Sequence, residues 1–499
     1  MQPHQHQRFR CGVLGGNLIN GSAHSYCNAM FDLSPEEITE GSLGRALLTL
    51  AAPLLVQNLV QVVQQVVDLF WLGRLSSVAV AAVGLALPVV ALLFAFVITA
   101  PFVGTQVLVS QRIGGEDVPA ARRTAATGLG LALVLGIAGG LTLRVGAGPL
   151  TDLLTLTRGG AGGAVARSTT VYLGVLALGL PFAAASDAVE GAFIGWGDSR
   201  APLYISIATV GTNLALDPVL IFGWGPAPAL GIRGAGLATI AGYAVGFALA
   251  VALALAGRNG GMYSRAAAAF DRDELRELLD VGAPVAGQGA VRQVVRVLIV
   301  AVAFAAGGAA GLAAYTVGAR IASIAFIPAI GLQQATQSVV GQNLGAELPD
   351  RARRATYLGV AIAAVGLAVI GLAQWLVPTA VATALAPDLT DRALAFSVEY
   401  LRILAYGYPA IGAAYIFEAG FNGARRTRTS FVATVLQFWA VRLPIAAGAG
   451  VLLGVGVVAV FWAVTISNIV AAVGLALYYR YETSSGMLQR ATERAIAAD

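Results

Sequence analysis

The chain carries its own pattern twice. A shift of 231 residues lays Ala52, Pro53, Gln57, Thr105, Gln106, Gln111, Gly114, Glu116, Arg122 and Arg123 on Ala283, Pro284, Gln288, Thr336, Gln337, Gln342, Gly345, Glu347, Arg353 and Arg354. With the shift shortened to 228, Tyr172, Pro181, Glu190, Phe193, Gly195 and Arg200 fall on Tyr400, Pro409, Glu418, Phe421, Gly423 and Arg428. Each copy therefore has to build the same half-structure, and the two halves have to pack about a shared axis. The acids break the rule, because Asp68 maps on Ile299 and Asp217 on Ile445.

What each half is made of follows from its hydropathy. Of the 499 residues 57% are hydrophobic and 11% charged, with a mean hydropathy of +0.77, whereas roughly a quarter of the residues of a soluble domain are charged. About twelve apolar stretches stand between charged or Gly/Pro-rich joints, near residues 45–73, 78–109, 121–145, 166–196, 200–223, 231–256, 276–306, 311–340, 353–377, 394–423, 427–449 and 452–479. Each is close to or above the ~20 residues a helix needs to cross the hydrocarbon core. The alternating pattern of barrel strands is missing. The expected fold is an all-α polytopic membrane protein of twelve transmembrane helices in two six-helix lobes. An even number of helices per copy starts both copies on the same side, which makes them parallel repeats related by a pseudo-twofold axis along the membrane normal. The expected division is a polar tail over 1–40, lobes over 41–257 and 281–480, an amphipathic linker over 258–280 carrying RDELRELLD, and a tail over 481–499.

Lysine does not occur in the sequence, so all 31 basic residues are arginine. That excludes a Walker A lysine for nucleotide phosphates, a lysine Schiff base and an SxxK hydrolase. Both cysteines, Cys11 and Cys27, and all three histidines, His4, His6 and His24, sit in the first polar segment. The apolar stretches therefore offer neither metal ligands nor a nucleophile and base of the usual kinds, and an embedded enzyme is disfavoured. The Cys/His spacing of the tail matches no standard zinc pattern. Transport driven by an ion gradient is the simpler expectation, with no cofactor beyond a coupling ion. Arginines cluster at Arg122 and Arg123, from Arg258 to Arg276, from Arg351 to Arg354 and at Arg425, Arg426 and Arg428. The positive-inside rule puts these clusters and both termini in the cytoplasm. The basic balance, with a pI near 9.3, then reflects contact with anionic lipid at the plasma membrane and not nucleic-acid binding.

Gln57, Gln61, Gln64, Gln65 and Asp68 share one face of the first helix. Such a stripe is costly against lipid and cheap against a wet cavity, so Gln57, Gln61 and Gln64 are cavity candidates. In the fifth stretch, TNLALDPVLIF, Asn213 and Asp217 are four apart and hence stacked on one face. Pro218 cannot donate to the carbonyl of Leu214, which leaves a third oxygen beside them. Should Asp68 meet this group, two carboxylates would share a confined site and hold a proton or a cation between them. An ion pair of Asp68 with Arg74 is the structural alternative.

The repeated Glu190 and Arg200, and Glu418 and Arg428, read as carboxylate–arginine clamps at helix ends. Arg292 and Arg296 stand where the first copy has Gln61 and Gln65. They too are cavity candidates, and the second lobe is basic where the first is acidic. Together with Arg320, Arg402 and Arg442 they offer a counter-charge or an anion site, or pair with helix carbonyls or Glu399; the sequence leaves that choice open.

The stretch from about Glu40 to Leu87, with LLVQNLVQVVQQVVDLFWLGRL at its centre, resembles the first helix pair of the multidrug and toxic compound extrusion (MATE) family. The duplicated fourth and tenth helices, NLALDP and GIRGAGLAT resemble it as well, and the likeness runs from about residue 40 to 480. The acid of helix one with the Asn and Asp of helix five is similar to the archaeal and DinF-like branch. The resemblance implies a monomeric twelve-helix V-shaped antiporter that exports amphipathic drugs or toxic metabolites against H⁺ or Na⁺. Residue by residue it implies coupling at Asp68, Asn213 and Asp217, with Thr239 as a fourth ligand of the proton or of Na⁺, and bending at Pro53. A flippase for lipid-linked oligosaccharide or peptidoglycan precursors, from the same superfamily, is the alternative.

Overall fold

A computed structural model describes residues 33–156, 163–263 and 271–496. Cys11, Cys27, His4, His6 and His24 lie outside the described residues. Every apolar stretch found in the sequence falls on helix, and no strand occurs among the described residues. Ten helices are long and apolar enough to cross a membrane. One of them, Arg272–Ala325, is 54 residues long and breaks at Gly308, which adopts φ 60° and ψ −155°. A Cβ on Gly311 would lie 3.4 Å from the Ala303 carbonyl, so the chain doubles back there and the two parts run antiparallel. Asp391–Gly423, at 33 residues, packs among these helices although its charged residues lower its hydropathy.

The duplication is visible in the backbone. Glu116 and Glu347, copies of one another, both take the left-handed conformation, at φ 63° and 61°, just past the helices Thr99–Gly114 and Ile327–Gly345. When a residue touches its own copy, the pair lies on the pseudosymmetry axis. Gln337 Nε2 donates to Gln106 Oε1 at 2.8 Å, and a Cβ on Gly341 would be 3.0 Å from Cβ of Ser110, its counterpart. Further along, Gln111 Nε2 donates to Gly423 O at 2.7 Å and Gln342 Nε2 to Gly195 O at 2.9 Å, two copies of one interlobe bond. Glycine is obligatory at this crossing. A Cβ on Gly114 would sit 1.9 Å from Gln342 O and one on Gly345 1.8 Å from Gln111 O. Small residues let helices meet where lipid gives no hydrophobic drive for association.

The same end is strapped by charge. Arg112, at the end of the first lobe's crossing helix, donates to Glu274 at 2.5 Å and to Glu277 at 2.9 Å. Glu277 also pairs with Arg425 of the second lobe, which in turn donates to Gln111. The linker expected over 258–280 thus already forms the first turns of helix seven from Arg272, capped by the Asp271 side chain. Glu274→Ala would strand one face of the buried Arg112 guanidinium. The expected cost is about 2–3 kcal/mol, read as a lowered unfolding temperature of the detergent-solubilised protein, with Glu274→Gln intermediate.

The described parts of both polar ends carry short helices, Pro35–Thr39 and Met487–Ile496. Ser34 and Glu37 form a reciprocal cap on the turn Pro35–Thr39, Ile38 is fully buried, and Arg351 donates to the Ile38 and Gly41 carbonyls. At the other end Met487–Ile496 lays Met487, Leu488 and Ala491 against Leu344 and Ala352. An apolar residue every third or fourth position was enough to dock each segment on the lobes.

Candidate functional site

The polar stripe of the first helix, Leu43–Leu75, serves two compartments. Its early part, with Gln57 and Gln61, lines a cavity of about 400 Å³ between the lobes, together with Gln106, Asp187, Glu190, Gln288, Arg292 and Glu418. Gln64 and Asp68, one and two turns further on, turn into the first lobe instead. A helix repeats every 3.6 residues, so an eleven-residue stripe drifts enough to face different neighbours at its two ends.

In the first lobe the fifth helix, Arg200–Phe222, supplies Asn213 and Asp217, each 1% exposed. Gln64 Nε2 donates to Asn213 Oδ1 at 2.9 Å. Asn213 Nδ2 reaches Thr239 Oγ1 of the sixth helix, Ile232–Leu255, at 3.5 Å, and Thr239 donates to its own helix at Ala235 O, 3.0 Å. The Asp68 and Asp217 carboxylates lie within hydrogen-bond reach of each other. Asp68 Oδ1 and both oxygens of Asp217 are buried without a donor among the described residues. Two facing carboxylates in a confined, poorly hydrated space are stable only with a proton or a cation between them. The structure thus brings together all of Asp68, Asn213, Asp217 and Thr239. The alternative partner of Asp68 is not engaged, since Arg74 stacks on Phe70 with Cζ 4.8 Å from the ring centre. Tyr172 and Tyr243 stand within electrostatic reach of the acids. Neither tyrosine is marked out by its spacing from the acids; the one signal is that Tyr172 recurs as Tyr400.

The carboxylate–arginine clamps do not form as read. Glu190 accepts from Gln57 Nε2 at 2.7 Å, Glu418 accepts twice from Arg292 at 2.8 Å, and Arg428 lies 3.4 Å from Asp280. Each glutamate lies five or six residues, roughly 8–9 Å, inside the end of its helix, while Arg200 and Arg428 lie beyond the turn at the start of the next helix, so the acids face the cavity and the arginines stay at the helix ends. The repeat itself held the better clue, since Gln57 recurs as Gln288 and Glu190 as Glu418, whereas Gln61 is replaced by Arg292. Pro53 is buried in an unbroken helix and Gly331 packs beside it, a Cβ there falling 3.0 Å from Leu55 N.

The chain has relatives among known proteins. The MatE family model matches residues 53–219 and 284–448, one stretch in each copy. The chain belongs to the MATE family of membrane transporters. Among curated relatives, an FAD transporter of Shewanella oneidensis is 28% identical over 443 residues, 88% of this chain and 94% of that protein. A protein named probable multidrug resistance protein NorM, from Pseudomonas aeruginosa, is 29% identical over 472 residues, 91% of this chain and 92% of its own. A solved MATE transporter described in an outward-facing conformation superposes with a TM-score of 0.83 at 24% identity, over 91% of this chain and 99% of that one. Membership makes the chain an integral membrane transporter and not an enzyme.

Proposed function

We propose that this MATE protein is a secondary active antiporter that exports amphipathic drugs or toxic metabolites in exchange for an inward coupling ion, by alternating access. The observation that carries this reading is the set of three buried carboxylate oxygens on Asp68 and Asp217 with no donor of their own. A proton suits them best. It needs only the two facing carboxylates, whereas Na⁺ needs several further oxygens, and Asn213 Oδ1 and Thr239 Oγ1 each already spend one lone pair, on Gln64 and on Asn213 Nδ2. With the arginine-rich end in the cytoplasm, the glycine crossing and the charged strap close the inner side. The cavity and the acid pair then face outward, ready to take up the ion. Relatives named for multidrug resistance and for FAD transport support a small-molecule cargo. Protonation of the pair would relax the first helix near Pro53 and change the cavity wall that Gln57 and Gln61 provide, and ion loss to the cytoplasm would restore it.

The test uses the purified protein in liposomes loaded with fluorescent amphipathic dyes of cationic, neutral and anionic type. Dye movement should follow an imposed proton gradient and persist without sodium. Movement under a sodium gradient alone would replace the proton by Na⁺, and movement indifferent to both gradients would end the antiport reading. Deletion that arrests envelope synthesis with no change in dye export would favour the flippase.

A further inference from the structure

We propose that the second lobe holds an anion subsite at Arg442 and Arg296, which takes the carboxylate or phosphate of an amphipathic cargo. It rests on the transport reading above and names the chemical class that transport would select.

The position comes from the duplication. Under the 228-residue shift Arg442 maps on Leu214, between Asn213 and Asp217, so it occupies the helix turn of the second lobe that carries those two residues in the first. The helix changes its winding there. Leu436–Arg442 forms a π-helical segment, followed after five residues by another at Gly448–Leu452. Such wide turns cost hydrogen-bond quality and recur at functional sites.

The guanidinium is held in place by neutral groups only. Arg442 Nε donates to Ser467 Oγ at 2.8 Å and Nη2 to Asn468 Oδ1 at 2.6 Å. Those acceptors are themselves oriented, Ser467 by donating to Val464 O at 2.9 Å and Asn468 by accepting from Gln437 at 2.7 Å. The Phe438 ring covers one face, 4.2 Å from Cζ. Of five N–H donors two are used for positioning, and Nη1 has no partner among the described residues. No carboxylate there lies within 4.0 Å of the group.

The neighbouring arginines show that this is not forced by a lack of acids. Arg292 is neutralised by Glu418 through both oxygens. Arg296, one turn further along the same helix, makes no hydrogen bond or ion pair among the described residues and is exposed. Val295, beside Arg296, packs in one cluster with Tyr315 and with Phe438 and Leu443 from the turn of Arg442, so the two charges share one region. Two guanidiniums without a carboxylate partner are costly at membrane depth. A structural role needs no surplus charge; an anion that arrives and leaves does. A planar fork with open donors is the geometry that receives a carboxylate or phosphate.

The experiment measures binding of N-dansyl-phenylalanine and of its methyl ester, which differ only in the negative charge, to the full-length protein in phosphatidylcholine nanodiscs without ion gradients. The acid should bind about tenfold more tightly than the ester. Arg442→Gln, which keeps donors for Ser467 and Asn468, and Arg296→Gln should each remove most of that preference while ester binding stays as in wild type. Arg442→Lys should retain part of it, and Asp217→Asn all of it. Unchanged ester binding reports an intact fold. Adding phosphatidylglycerol separates two sources of the anion: displacement of the acid probe from wild type assigns the site to a lipid phosphate, no displacement to a soluble cargo, and both sustain the subsite. Equal binding of acid and ester to wild type, or equal weakening of both by Arg442→Gln, overturns the proposal. Neither outcome bears on the coupling acids, whose failure would appear only under a gradient.

Discussion

Asp217→Asn is expected to abolish ion-driven export while leaving cargo binding and folding intact. The carboxylate sits 1% exposed with both oxygens free of donors among the described residues, and Asp68 stands within hydrogen-bond reach. An amide in its place supplies its own hydrogen to Asp68, which mimics the ion-loaded state permanently. The cycle then has nothing to release. A membrane potential of 100 mV is worth about 2.3 kcal/mol per charge, or roughly a fiftyfold cargo gradient. That accumulation should fall to the passive level in proteoliposomes. Asp68→Asn should do the same, and the double variant should be no worse than either, because the two carboxylates act as one unit and their effects cannot add. Gln64→Leu is the graded control, removing only the 2.9 Å bond to Asn213. Wild-type accumulation by both single variants would remove the acids from the mechanism.

The legibility of this chain was uneven for a physical reason. Helices in lipid satisfy their backbones internally, so runs of apolar residues located them, and the repeat located the lobes. The acid pair was legible as well. Asn213, Asp217 and Pro218 are local in sequence, and Asp68 lies on a stripe whose period is that of a helix. What could not be read was which neighbour each polar face would meet. Glu190 was matched with Arg200 by shared recurrence, yet it meets Gln57, 133 residues away. The break at Gly308 falls in the glycine joint between the stretches 276–306 and 311–340, whereas the π-helical segments at Arg442 are choices of packing, with no composition signal of their own. Arg442 was therefore visible as a charge and not as a positioned fork.

A disulfide between Ser110→Cys and Gly341→Cys, in a background with Cys11 and Cys27 replaced by Ser, should stop transport under oxidising conditions and release it on reduction. Ser110 and Gly341 are copies of one another under the 231-residue shift, and a Cβ on Gly341 stands 3.0 Å from Cβ of Ser110. That is slightly inside the ~3.5–4.5 Å usual for a bridged pair, a gap that a small slide of either helix supplies. Because this pair lies on the pseudosymmetry axis, the bond would pin the two lobes at the point about which they must part. Alternating access requires the interlobe bonds of Gln111 and Gln342 to break together, so one covalent link there should arrest both directions of the cycle. Cargo binding should survive, since the cavity is lined by Gln57, Glu190, Arg292 and Glu418, none of which the bridge touches. Full transport by the oxidised, verifiably cross-linked protein would mean that the lobes do not separate at this crossing, and that cargo passes by motion within a single lobe.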